Sequence, residues 1–347
     1  MTKTSAHSTL QLMADILSFE TNGVALMSLF NTTETNWDAV VTIASQHLML
    51  PALYCQLRAK GLLSYIPKDL ELYLEELTAI NRNRNEVLIT EAHAISELFH
   101  KSQIDHVFIK GLALIAGHTF KDRAERMIGD IDILVAPNQV QQAFTLLEVN
   151  GYTQTVAFNY IQKNYRHLSR QIHPKKMGAV ELHHETLVHK YRLLIDTTSV
   201  LQKKQHIEGI FVPSIEDAIR IAIFTSQIND KAHLFGYIKF KSVYDCLALE
   251  LHQNKELLHV LSSQKHAQCF LELSSLYFPE LKPFQTNGYS KFIKSYYRYK
   301  LTHPKMGHYC QKTLYLLDAV GERLNLLVGN KSYRMHVLRN KLNPQKK

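Results

Sequence analysis

Cysteine is scarce in this 347-residue chain: Cys55, Cys246, Cys269 and Cys310 lie far apart and form no CxxC pair. Such spacing argues against both a disulfide framework and a structural zinc site, and leaves packed thiols as the expectation. Glycine (13) and proline (9) are too few for a collagen-like chain, and 46% hydrophobic with 20% charged residues excludes wholesale disorder. No run approaches the ~18–20 apolar residues of a membrane helix. Asp15 also interrupts the N-terminal stretch where a signal peptide stays apolar, so a cytoplasmic protein is expected. Acids are nearly missing from one end. From Phe284 to Lys347 thirteen Lys and Arg face only Asp318 and Glu322, a net +11, so residues 1–283 carry −2 of the total +9.

The length exceeds one modal domain of ~100–150 residues, which predicts a catalytic-sized core with additions. Residues 1–100 read as a helical N-terminal subdomain. Trp37 to Lys60 has apolar residues at helical spacing, broken near Pro51, and Lys68 to His100 is a second long stretch without Pro or Gly. From 101 to 190 the texture becomes α/β. His106 to Ile109 and Asp130 to Val135 are β-type runs, and Pro137-Asn138 to Asn150-Gly151 bounds a helix. Tyr152 to Phe158, about His167 to His173, and Ala179 to Glu185 complete a mixed sheet, the last two joined by a hairpin at Pro174 to Gly178. Residues 191–330 return to helix, with Ser214 capping a segment to about Gln227, and 331–347 form a basic tail.

The chemistry concentrates at 130–135. Alternation along a strand puts Asp130 and Asp132 on one face, at roughly 6–7 Å spacing, with Ile131, Ile133 and Val135 on the other. Paired carboxylates repel one another unless a cation lies between them, and they suit Mg²⁺ that also holds substrate phosphates. A lone DxD equally describes solvated strand-end acids. The neighbouring strand Ala179 to His183 adds Glu181 and His183 on one face, so Glu181 is a candidate third acid. Three such groups can bind two divalent ions. Lys110-Gly111 ends a strand and opens a helix from Leu112 to about Phe120, a place where backbone N–H groups approach phosphate. Lys110 and Arg126 add cations, whose bland reading is surface charge. His183 is as readily a structural histidine as one that contacts phosphate or orients Glu181.

Together Lys110-Gly111, Arg126-Met-Ile-Gly-Asp130-Ile-Asp-Ile-Leu-Val135, the helix ending in Gly151-Tyr152, and Val180-Glu-Leu-His183 resemble bacterial nucleotidyltransferase-like proteins of the DNA polymerase β superfamily, in the group with a Lys-Gly opening. Segments around Trp37 to Leu57, Asn81 to Asn85 and Lys239 to Leu249 look like that group's flanks. The resemblance implies an α+β fold: a small mixed-sheet polymerase-β-like core flanked by N- and C-terminal helical subdomains. It also implies Asp130, Asp132 and Glu181 as catalytic metal ligands for Mg²⁺ or Mn²⁺. Lys110, Gly111 and Arg126 would bind the nucleoside triphosphate, with His183 in support. Leu112 departs from the serine usual in the wider superfamily at the phosphate loop.

The expected activity is transfer of a nucleoside monophosphate from an NTP to a hydroxyl of RNA, protein or a small molecule. The rival is a catalytically inactive nucleotide- or RNA-binding protein of the same fold. At the C-terminus, Lys291 to Lys300 interleaves cations with aromatics in a way that suits an RNA acceptor. A buried stripe of Phe292, Tyr296 and Tyr299, or contact with an anionic membrane surface, fits the same pattern.

Overall fold

The computed structural model describes residues 6–155, 160 and 165–340. Five helices come first: α1 (Ala6–Leu17), α2 (Gly23–Thr32), α3 (Trp37–Gln46), α4 (Leu50–Ala59) and α5 (Lys68–Lys101). The break before Pro51 is real, because proline occupies the first turn of α4 and Leu48 just ahead of it turns left-handed at φ 57°. Uninterrupted by Gly or Pro, α5 runs for 34 residues, burying Leu74, Leu88, Ala92, Ile95 and Phe99 on one side.

The sheet follows, made of β1 (His106–Ile109), β2 (Ile131–Val135), β3 (Thr153–Gln154), β4 (Gln171–Ile172) and β5 (Ala179–His183) in the order β1-β2-β5-β4-β3. It is mixed: β2 runs parallel to β5, and the other pairings are antiparallel. α6 (Lys110–Ala116) leaves the end of β1 and α7 (Val140–Val149) follows β2. Asp130 lies one residue ahead of β2 rather than within it. Leu134, on the face of Asp132, is as buried as Ile133, because the sheet is covered on both sides. The strand expected from Tyr152 to Phe158 appears as Thr153–Gln154, and its continuation at 156–159 lies outside the described residues. In the segment about His167 to His173, His167 bridges His183 before β4 begins.

Beyond residue 190 the chain forms α8 (Thr197–Gln202), then a hairpin where helix was expected: β6 (Gln205–Ile207) and β7 (Ile210–Val212). Glu208 and Gly209 both have positive φ, 46° and 86°, as a two-residue hairpin turn demands. A Glu-Gly pair is a weak cue for that turn, and the apolar residues of β7 serve helix and strand patterns alike. Then come α9 (Ile215–Phe224), capped by Ser214 as expected, α10 (Ala232–Phe235), α11 (Phe240–Ala248), α12 (Lys255–Ser263) and α13 (Lys265–Ser274). α14 (Gly288–Thr302), α15 (Pro304–Gly329) and α16 (Lys331–Asn340) end the described chain.

One apolar cluster extends from Leu10 in α1 through the sheet to Tyr297 in α14. The four cysteines are free thiols, three of them buried. In α14 the buried stripe is Ile293 and Tyr297, so Phe292 and Tyr299 of the expected stripe are exposed instead, one step around the helix. No helix among the described residues is long and apolar enough to cross a membrane.

Candidate active site

The approach to Asp130 is shaped from α5. Asn81 Nδ2 donates to the Ala124 carbonyl (2.7 Å), and Asn85 Nδ2 to those of Arg123 (2.6 Å) and Arg126 (2.9 Å). Arg82 holds the Asp122 carboxylate (2.7 Å), and Arg84 reaches the Ile128 carbonyl. A polar row on one long helix thus ties down the connection from 122 to 129, whose backbone has no strand partner of its own. Asp130 emerges from that clamp, and β2 begins at the next residue.

Strand pairing brings the other acids alongside. Asp132 is the register partner of both Ile109 and Glu181, so the end of β1, the middle of β2 and the middle of β5 form one row across the sheet. Asp132 and Glu181 are 7% and 9% exposed, and Asp130 is half-buried. Asp132 Oδ1 accepts from Lys110 Nζ at 2.6 Å and from His183 Nε2 at 2.8 Å. Glu181 Oε1 accepts from Arg170 Nη2 (2.8 Å) and Nε (3.1 Å), while the same Nη2 donates to Asp130 Oδ2 at 2.7 Å. All three carboxylates anticipated from the sequence therefore stand together, with Lys110 and Arg170 as their counter-charges.

Arg170 was not anticipated. A signal existed: with Gln171 opposite Val180, the hairpin turning at 174–178 places Arg170 directly across from Glu181. His167, whose Nε2 is 3.8 Å from Glu181 Oε2, closes the same side.

Electrostatics separates the three acids. Burial opposes ionisation of Asp132, but the Lys110 charge and the His183 hydrogen bond outweigh it and hold its pKa below the usual carboxylate range. Burial, helped by Glu181 and Asp132, raises Asp130 against the pull of Arg170. Glu181 feels burial and Asp132 pushing upward, yet His167, Arg170 and His183 bring it down. His183 is pushed down to about 4, by burial first and then by the Lys110 charge, so its ring is neutral.

Ligand atoms of Asp132, Glu181 and His183 lie within 4.8 Å of one another, a spacing that a divalent ion can bridge. The tautomer bears on His183's part in it. Its Nδ1 is buried without a hydrogen-bond partner, which places the proton on Nε2, donating to Asp132. Ligation through Nε2 would move that proton to Nδ1, where no acceptor waits. His183 therefore fits a positioning role, and the carboxylate oxygens fit a hard cation such as Mg²⁺ or Mn²⁺. Among the described residues, three carboxylates against two cationic side chains leave a net negative charge to receive it.

At the end of β1, Lys110 takes a left-handed backbone (φ 60°), uncommon for a residue with a side chain and a form of strain often found at functional sites. That turn sends its chain back toward Asp132. Gly111 is buried in the first turn of α6, with Arg126 and Ile128 atoms 3.5 Å from where a β-carbon would stand. Leu112 is buried at 1% exposure. Arg126, expected to bind the triphosphate, is already partnered: its Nε and Nη2 grip Asp245 (2.6 and 2.9 Å) and its Nη1 donates to the Met127 carbonyl (2.6 Å). This buried bidentate pair ties the connection ahead of β2 to α11.

Beside it lies a small cleft lined by Lys110, Arg126, Thr225, Lys239, Lys241 and Asp245 among others. Lys239 pairs with Asp230. Lys241 has no hydrogen bond or ion pair among the described residues. Burial, then the charges of Arg126 and Lys239, lowers its pKa to about 8. This half-buried ammonium stands beside two cations that are already ion-paired, and its cleft adjoins the acids through Lys110.

Comparison with curated proteins and with solved structures finds no significant match. A family profile described as "Uncharacterised nucleotidyltransferase" matches residues 33–259, which takes in α3 to α11 with the whole sheet, and the start of α12. By that match over more than half its length, the chain belongs to this nucleotidyltransferase family.

Proposed function

We propose that the protein transfers a nucleoside monophosphate from an NTP to an acceptor hydroxyl, in a reaction dependent on Mg²⁺ or Mn²⁺, with release of pyrophosphate. One observation carries the reading: Asp130, Asp132 and Glu181, from a clamped loop and two neighbouring strands, meet beside a lysine-lined cleft in a chain of nucleotidyltransferase family. Bound to those carboxylates, divalent metal would neutralise the triphosphate and lower the pKa of the attacking hydroxyl.

The chain's own residues do the rest. Lys241, Lys239 and Lys110 draw the triphosphate into the cleft, with Lys110 lying between phosphate and acids. His183 keeps Asp132 ionised and fixed in rotamer. The acceptor oxygen forms a bond to the α-phosphorus as the bond to the β-phosphate oxygen breaks, and the hydroxyl proton passes to a carboxylate of the cluster. Through Asp245, Arg126 serves by holding α11, and so the cleft wall, against the connection that leads to Asp130.

The test is incubation of the purified protein with each labelled triphosphate, Mg²⁺ or Mn²⁺, and cell extract, followed by partition of label among RNA, protein and small molecules. Label in one pool, lost in the Asp130→Asn, Asp132→Asn double variant, supports transfer and names the acceptor. A second reading, a binding protein without catalysis, is favoured by Leu112 in place of serine and by the burial of Gly111. It predicts triphosphate binding with no label transferred by either form.

A further inference from the structure

α15 packs against the molecule by one face only. Gly307 presses on Lys300 of α14, Tyr315 stacks near Phe235 of α10 at 4.0 Å, and Asp318 and Glu322 both bind Lys231, at 2.6 and 2.5 Å. The opposite face carries Tyr309, Leu316, Leu317, Val320, Leu324 and Val328, each between 43% and 83% exposed. At 100° per residue these six fall within a sector of roughly 120°, along a helix of 26 residues and roughly 39 Å. Scattered surface leucines need no explanation, but a continuous stripe of this length does.

Charge decides what covers it. Lys305, Lys312 and Arg323 follow one border of the stripe, and the only acids from Phe284 to the C-terminus, Asp318 and Glu322, are on the packed face and already paired. A second copy would bury the leucines, yet it would bring together two regions of net +11 with no free acid to meet them. RNA would answer the charge and leave Leu316, Leu317, Val320, Leu324 and Val328 in water, since aliphatic side chains give bases nothing to stack on. An anionic lipid surface answers both features, taking the stripe into its acyl boundary and the bordering cations among its headgroups. We infer that α15 is an interfacial helix that docks the protein, lying flat, on anionic phospholipid bilayers.

This docking is independent of the transfer chemistry. The full chain would be floated with vesicles of phosphatidylcholine alone and of phosphatidylcholine with about a third phosphatidylglycerol. Binding to the anionic vesicles at least tenfold tighter, weakened by salt, and reduced at least tenfold by Leu317→Glu with Leu324→Glu is the expected result. Both positions are exposed, so the variant should fold, and an unchanged melting temperature would show it; Val328→Glu, at the far end of the stripe, serves as the check should the pair not fold. Equal binding to both vesicles, no binding, or binding indifferent to these variants overturns the inference. So does sedimentation showing a dimer that the same variants dissociate, or RNA binding that ignores them while vesicle binding is absent.

Discussion

Removing the guanidinium that joins Asp130 to Glu181 gives the sharpest test of the site's electrostatics. Arg170→Met keeps the aliphatic stem and deletes the charge, leaving three carboxylates with Lys110 as the one cation bonded to them among the described residues. A unit charge pair at ~4 Å and an effective dielectric near 20 interacts by about 4 kcal/mol. The Arg170 side chain is 42% exposed, so solvent screening and side-chain entropy reduce the net worth of the bridge to roughly 1–2 kcal/mol. Without metal, the variant should therefore melt lower, by roughly 1–3 °C for a chain of this size. The same free energy no longer opposes an incoming dication, so Mn²⁺ affinity should rise by about tenfold, since 1.4 kcal/mol is a factor of ten. Calorimetric titration with Mn²⁺, or the loss of the free-ion resonance, reads the affinity, and a thermal melt with and without Mn²⁺ reads the stability. Unchanged or weaker Mn²⁺ binding would refute the argument, because it would mean that Arg170 does not compete for the oxygens a metal uses.

Other consequences follow from the same geometry. Asn85→Ala leaves the Arg123 carbonyl without this donor and the Arg126 carbonyl with the longer 3.5 Å bond from Asn81, at a cost of about 1–3 kcal/mol, and should weaken Mn²⁺ binding by loosening the loop ahead of Asp130. Lys241→Met should raise the dissociation constant for a triphosphate several-fold, measured by titration, while leaving the melting temperature equal or higher, because an unpaired half-buried charge is removed. His106, ringed by Phe99, Phe108 and Phe211, and His183 both have pKa values lowered to about 4. Between pH 6.5 and 4 the unfolded chain binds protons that the folded chain refuses, so stability is full above 6.5 and falls with pH through that window. Melting temperatures at pH 7.5, 6 and 5 should decline in that order, and less steeply in His106→Leu, which removes one of the refused protons. A flat profile would contradict the burial of these rings.

Much was legible in the chain before any fold. The β-branched alternation at 131–135 can bury its isoleucines only if Asp132 shares a face with its neighbour acid, and the Gly-free, Pro-free run from Lys68 can hardly be anything but one long helix. The same holds for Glu181 and His183, two apart on a second alternating strand. These are local consequences of backbone periodicity, carried by side chains a few residues apart. What tertiary structure alone decided concerns partners far apart in sequence: Arg170 between Asp130 and Glu181, Arg126 locked to Asp245 rather than free for phosphate, Lys241 left unpaired in the cleft, and the solvent-facing stripe of α15. Periodicity tells which way a side chain points along its own element. Which charge it meets there depends on strand register and on how helices dock, and those are set by the packing of the whole core.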